Sequence, residues 1–139
     1  MLECLLFGDD LVGNLDYFLP TCDKEIYSEL NSEAIFSTHV SSGKRYKTTI
    51  VSLGYNDLHI DTEYYADELR KKMTGMVIWL LSEIRQDQYD AIVKVAQKYN
   101  DKVLFTGNYE HDYYNKRPSL VGYQKIKSHL EYLEARNKF

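Results

Sequence analysis

Two adjacent aspartates, Asp9 and Asp10, follow a short apolar run near the start of the chain, in the stretch LFGDDLVGNL. A third aspartate, Asp57, follows another apolar run in SLGYNDL, directly after Asn56. Neighbouring carboxylates can hold a cation or act as general bases, and an asparagine amide can donate to a developing negative charge. These four side chains are therefore the first candidates for a functional site.

Short apolar or β-branched runs predict the strands that would position these residues. The runs cover residues 2–7, 48–53, 76–81 and 103–106, with 33–40 as a weaker fifth candidate. Helical spacing of apolar residues predicts helices over 62–72 and 86–99, and a last helix that begins after an N-cap at Ser119. Gly8 and Asp9 should lead directly from the first strand into a helix.

Strands that alternate with helices of this length are typical of an α/β protein, here a three-layer α/β/α sandwich on a mainly parallel sheet of four or five strands. The 139 residues contain no repeat or linker, so one domain over residues 1–139 is expected. Functional residues of such sheets lie at the carboxyl ends of the strands. The same rim should therefore carry residues 8–10, 54–57, 82–83 and 107–118.

Composition excludes several classes of function. A net charge of −4 and a pI of about 5.5 argue against binding to nucleic acid or to anionic membranes. No apolar run is long enough to span a bilayer, and the start of the chain does not resemble a signal peptide.

Cys4 and Cys22 are expected to be separate thiols in a reducing cytoplasm. No cofactor and no metal are expected, and no feature specifies an oligomeric state.

Three segments in chain order resemble the sequence blocks of the SGNH (GDSL-like) hydrolase family. FGDDL stands where the family has Gly-Asp-Ser-Leu, SLGYNDL matches Gly-x-Asn-Asp, and YYNKRPSLVGYQKI matches the last block at its Pro and Gly-Tyr. The resemblance implies the family's fold, with flavodoxin-like strand order, and a cleft suited to ester hydrolysis. The ligand-binding residues that it implies are Gly8, Asp9, Asp10, Gly43, Gly54, Asn56, Asp57 and Arg117.

The family's catalytic triad is replaced in this sequence. Asp10 stands at the nucleophilic serine, Tyr114 at the aspartate and Arg117 at the histidine. An imidazole can accept a proton near neutral pH and return it, whereas an arginine cannot. The resemblance leaves Asn56 as an oxyanion-hole donor, with Gly43 as the candidate for the glycine of that hole.

The first hypothesis is a non-hydrolytic domain that binds a small molecule, such as a carbohydrate or acylated ligand, or a protein partner through the inherited cleft. Because serine and histidine touch in the family, we expect Asp10 and Arg117 to form a bidentate ion pair in their place. A second hypothesis is an atypical esterase or acyl transferase on O-acylated carbohydrates. Asp10, Asn56 and His111 would then be its catalytic residues.

A third hypothesis places the same aspartates in a receiver-like phosphoacceptor domain. Asp9, Asp10 and Asp57 would hold Mg²⁺, Asp57 would accept the phosphoryl group, and Ser82 would be the switch hydroxyl. The lysine that receiver domains carry after the fifth strand is absent, since FTGNY stands there. The SGNH-like interpretation explains more of the sequence.

Overall fold

Five parallel strands form one sheet in the computed structural model, which describes residues 3–40, 44–58, 60–82, 85–106 and 118–137. They are β1 (Cys4–Gly8), β2 (Asp23–Ile26), β3 (Thr48–Ser52), β4 (Met76–Leu81) and β5 (Lys102–Phe105). Their order across the sheet is β2-β1-β3-β4-β5, and every pair is parallel. The predicted α/β class, parallel sheet and flavodoxin-like order are confirmed.

Helices cover both faces of the sheet. The described ranges contain α1 (Asp10–Gly13), α2 (Ser32–Thr38), α3 (Thr62–Arg70), α4 (Gln86–Lys98) and α5 (Leu120–Asn137). Because successive side chains of a strand point to opposite faces, Leu6 joins the core under α1 and α5, while Phe7 joins the core under α2, α3 and α4. None of the helices in the described residues is long and apolar enough to cross a membrane.

The sequence prediction was wrong at the β2 edge of the sheet. The stretch 33–40 lies in and just after helix α2, which begins after Asn31, whose side-chain oxygen accepts from the Ala34 N–H at 2.8 Å. The strand at this edge is β2 instead, with the sequence DKEI and no buried side chain. An edge strand of charged residues avoids unwanted pairing but carries little hydrophobic signal.

The two cysteines are also placed differently from the prediction of separate thiols. Cys4 and Cys22 form a disulfide, with their Cα atoms 4.9 Å apart and both residues buried. Cys4 begins β1 and Cys22 directly precedes β2, so the parallel pairing of these strands brings the two sulfurs together. The pairing could not be inferred from the sequence because β2 itself was not predicted.

We predict that the disulfide stabilises the folded protein by about 3 kcal/mol, the loop-closure value for a loop of this size. Its cysteines are 18 residues apart in the sequence. A dithiol reductant should lower the midpoint of urea unfolding of the wild type accordingly. A Cys4→Ala/Cys22→Ala variant should show the lower midpoint from the start and no response to the reductant. Equal midpoints for oxidised wild type and this variant would contradict the prediction.

Candidate functional site

The carboxyl ends of β1 and β3 approach each other very closely at Gly8. A Cβ atom on Gly8 would overlap the carbonyl of Ser52, and its φ of +129° is one that L side chains rarely adopt. The next residue, Asp9, donates its backbone N–H to the same Ser52 carbonyl at 3.0 Å. Gly8 is therefore required to start the turn that carries the site.

Asp9 is buried beneath this turn and serves as the N-cap of α1. Its Oδ1 accepts from the Leu11 N–H at 3.2 Å and the Ser52 hydroxyl at 2.6 Å, and its Oδ2 accepts from the Tyr55 N–H at 3.2 Å. Ser52 Oγ in turn accepts from the Val12 N–H at 3.0 Å. Burial raises the pKa of Asp9 to about 6, although these hydrogen bonds oppose the shift.

Asp10 begins α1 and is half-buried at the rim of the sheet. Its carboxylate accepts from the Glu29 backbone N–H, at 3.1 Å to Oδ2 and 3.3 Å to Oδ1, and from Asn56 Nδ2 at 3.3 Å. The structure thus brings Asp10 and Asn56 together, as the sequence predicted. Within the described residues no lysine or arginine forms an ion pair with Asp10.

A turn after β2, residues 27–30, completes this corner and was missed by the sequence analysis. Leu30 N–H donates to the Tyr27 carbonyl at 3.3 Å, and Glu29 has a φ of +65° that aims its N–H at Asp10. The Leu30 carbonyl accepts a second hydrogen bond from Asn56 Nδ2, at 3.1 Å. The contributing groups are backbone atoms, which no side-chain motif could have indicated.

Asp57 is buried and all its polar groups are used within the fold. Its Oδ1 accepts from the Ser32 N–H at 2.7 Å, and its Oδ2 accepts from the hydroxyls of Ser32 and Thr62, each at 2.6 Å. The Asp57 carbonyl accepts from the side-chain amide of Gln88. Asp57 therefore fixes the starts of α2 and α3.

Two solved structures share this architecture over nearly their whole length. One is Est24, a carbohydrate acetylesterase from Sinorhizobium meliloti, with a TM-score of 0.64, 12% identity, and coverage of 96% of this chain and 100% of that chain. The other is a proposed GDSL-like lipase from Bacteroides uniformis, with a TM-score of 0.61, 10% identity and 93% coverage of each chain. The chain has the SGNH-hydrolase fold. Its sequence matches no protein-family model and no curated protein.

Asp10 and Asn56 are also the two residues that the resemblance of the sequence blocks singles out. It predicts that Asp10 stands at the position of the nucleophile and Asn56 at that of a donor to the oxyanion. Here the Asn56 amide donates to the Asp10 carboxylate itself.

The remaining predicted site residues divide into two groups. Gly43, His111, Tyr114 and Arg117 lie outside the described residues, so the Asp10–Arg117 ion pair and the roles of the others stay predictions. Gly54 has a φ of +95° and allows the turn that carries Asn56. The described residues contain no group of three or more His, Cys, Asp and Glu side chains able to hold a metal ion. The three-aspartate Mg²⁺ site of the receiver hypothesis is therefore not formed.

We predict that Asp9 makes the folded protein less stable as the pH rises through 6. The folded carboxyl has a pKa of about 6 against an ordinary value of 3.8, so it binds its proton more tightly than in the unfolded chain. The resulting stability is fully present below about pH 4 and is lost above the folded pKa, a difference of up to about 3 kcal/mol. Urea unfolding measured across this pH range should show a free energy of unfolding that falls as the pH rises.

An Asp9→Asn variant should lose this slope, even though its stability at one pH can differ from the wild type for other reasons. Asp16→Asn is the matched control, since Asp16 is a partly exposed aspartate paired with Lys24. This variant should retain the decrease in stability with rising pH that Asp9 causes in the wild type. An unchanged slope in Asp9→Asn would show that Asp9 does not take up a proton in this range.

Proposed function

We infer that this protein is a non-hydrolytic domain of SGNH fold that binds a ligand through the cleft beside Asp10. Carbohydrates, including O-acylated ones, are the favoured ligand class. The observation that carries the proposal is the hydrogen bond from Asn56 Nδ2 to the Asp10 carboxylate. The resemblance assigns these two residues to the nucleophile and to an oxyanion donor, and this assignment supports the proposal.

Hydrolysis through this corner is disfavoured by charge. The tetrahedral intermediate of ester hydrolysis carries a negative oxygen, which must lie within hydrogen-bond distance of free donors. Asn56 Nδ2 already donates to Asp10 and to the Leu30 carbonyl. Two like charges about 4 Å apart repel each other by about 4 kcal/mol near a protein surface, which corresponds to about a thousandfold in rate. The carboxylate thus opposes the charge that the reaction must develop.

The same carboxylate suits a ligand that donates hydrogen bonds. Hydroxyl groups of a sugar can donate to the half-buried Asp10, and the neighbouring Tyr55 is also half-buried at the rim. Similarity to Est24, a carbohydrate acetylesterase whose whole chain aligns with this one, supports the carbohydrate class. A protein partner in the same cleft is the alternative ligand.

The environment of Asp57 gives no support to a phosphoacceptor function. A phosphoacceptor carboxylate must reach solvent and a metal ion, whereas Asp57 is 2% exposed and both its oxygens accept hydrogen bonds from Ser32 and Thr62. Ser82 is also buried. Incubation with Mg²⁺ and acetyl phosphate should therefore leave the mass of the protein unchanged.

We predict that the wild type hydrolyses p-nitrophenyl acetate no faster than Asp10→Ala does. In a binding test by titration calorimetry with acetylated and deacetylated xylo-oligosaccharides, Asp10→Asn should weaken binding about 10- to 100-fold, the effect of losing a charge-assisted hydrogen bond. Asp16→Asn applies the same chemical change away from this corner and should bind as the wild type does. Turnover that disappears in Asp10→Ala would overturn the non-hydrolytic proposal.

A gain-of-function variant tests the assignment of positions. Asp10→Ser/Tyr114→Asp/Arg117→His restores the three residue types of the family's triad and frees Asn56 for an oxyanion. Esterase activity in this variant, absent from Asp10→Ser alone, would support the correspondence of all three positions. A folded triple variant without activity would argue that the cleft itself has changed.

A further inference from the structure

The turn that holds Asp10 is anchored on its opposite side by a histidine. The Tyr27 hydroxyl lies 3.1 Å from Nδ1 of His39, which is the C-cap of α2. The His39 side chain is 6% exposed, and its ring meets the Phe7 ring edge-on with centroids 5.1 Å apart. One residue, Tyr27, thus connects this buried imidazole to the turn whose Glu29 N–H binds Asp10.

The same nitrogen has a second neighbour of different chemistry. Glu25 Oε2 lies 3.4 Å from His39 Nδ1. A phenol can donate to an unprotonated ring nitrogen, whereas a carboxylate can only accept from a protonated one. Neutral His39 with its proton on Nε2 can accept from the Tyr27 hydroxyl at Nδ1, whereas the protonated ring carries an Nδ1–H that can donate to Glu25.

We propose that His39 is a positioning residue for the Asp10 site, which it holds through Tyr27 and releases when its ring is protonated. Above its pKa, neutral His39 accepts from the Tyr27 hydroxyl and fixes the turn. Below it, the imidazolium donates to Glu25 and Tyr27 loses its acceptor. The hydrogen bond from Glu29 N–H to Asp10 then weakens.

The charged and titratable groups around His39 agree with this assignment. Glu25 faces it from β2, Tyr27 from the turn and Lys72 from the segment after α3, while Lys44 and Tyr46 line the same surface pocket. Burial lowers the pKa of His39, with Glu25 opposing and Lys72 adding to the shift. Burial also raises the pKa of Tyr27, so its phenol keeps its proton and can donate at neutral pH.

The path from Tyr27 to Asp10 is short and consists of hydrogen bonds within one turn. Tyr27 N–H donates to the Gly8 carbonyl at 2.8 Å and the Tyr27 carbonyl accepts from Leu30 N–H, so movement of Tyr27 moves both ends of the turn. Glu29 lies between them in a left-handed conformation that few non-glycine residues adopt without support. The effect of His39 on ligand binding rests on the proposed function, but the effect of His39 on the turn that holds Asp10 does not.

Proton–nitrogen correlation NMR of the ligand-free full chain, recorded as a function of pH, tests the proposal. The backbone amide of Glu29 and the side-chain amide of Asn56 should shift in a step whose midpoint equals that of the His39 ring protons. In Tyr27→Phe the ring should still titrate, but both amides should lose that step. His39→Gln should lose it as well.

Two controls separate this step from other titrations. Asp9, whose carboxyl has a pKa of about 6, contacts the Tyr55 amide, so that amide should keep its own step in Tyr27→Phe and His39→Gln. His129→Gln, a change on α5, should leave the Glu29 and Asn56 steps as in the wild type. The proposal is overturned if those two amides follow the His39 midpoint equally in Tyr27→Phe, or if they never follow it. Because no ligand is present, neither result depends on what the cleft binds.

Discussion

The close approach of the β1 and β3 ends at Gly8 and Ser52 is the constraint on which the whole site depends. Only a glycine fits against the Ser52 carbonyl, and that fit aligns the Asp9 N–H with the same carbonyl. Ser52 Oγ then joins Asp9 to the Val12 N–H, which fixes the direction in which α1 leaves the sheet. Asp10 reaches Asn56 only because the first turn of α1 is held in this way.

The parts of this arrangement that follow from periodic patterns could be predicted from the sequence. Buried strands such as β4 consist of continuous apolar residues, and the rule that parallel strands end on one rim was enough to bring Asp10 beside Asn56. Strand β2 was not predicted because an exposed edge strand needs no run of apolar residues. The Cys4–Cys22 disulfide and the turn that binds Asp10 were therefore not predicted either, since both depend on where that strand lies.

Three aspartates that look alike in the sequence have three different environments. Asp9 is buried with a pKa raised to about 6, Asp10 is half-buried at the rim, and Asp57 is buried with every carboxylate oxygen bonded. Burial depends on segments far away in the chain, such as Ser32 and Thr62 around Asp57. Residue type and spacing therefore singled out the three aspartates. They could not show that Asp9 caps a helix, that Asp10 lies at the rim and that Asp57 anchors two helices.

An active site of this fold lowers the stability of the folded protein because its hydrogen-bond donors have no acceptor until negative charge develops during the reaction. In the proposed function, the Asp10 carboxylate satisfies these donors permanently, since it accepts from Asn56 and from Glu29. In that proposal, the same carboxylate opposes hydrolysis and keeps the capacity to accept a hydrogen bond from a ligand. The SGNH fold alone does not determine which chemistry it supports, so the proposed function rests on the residue at position 10.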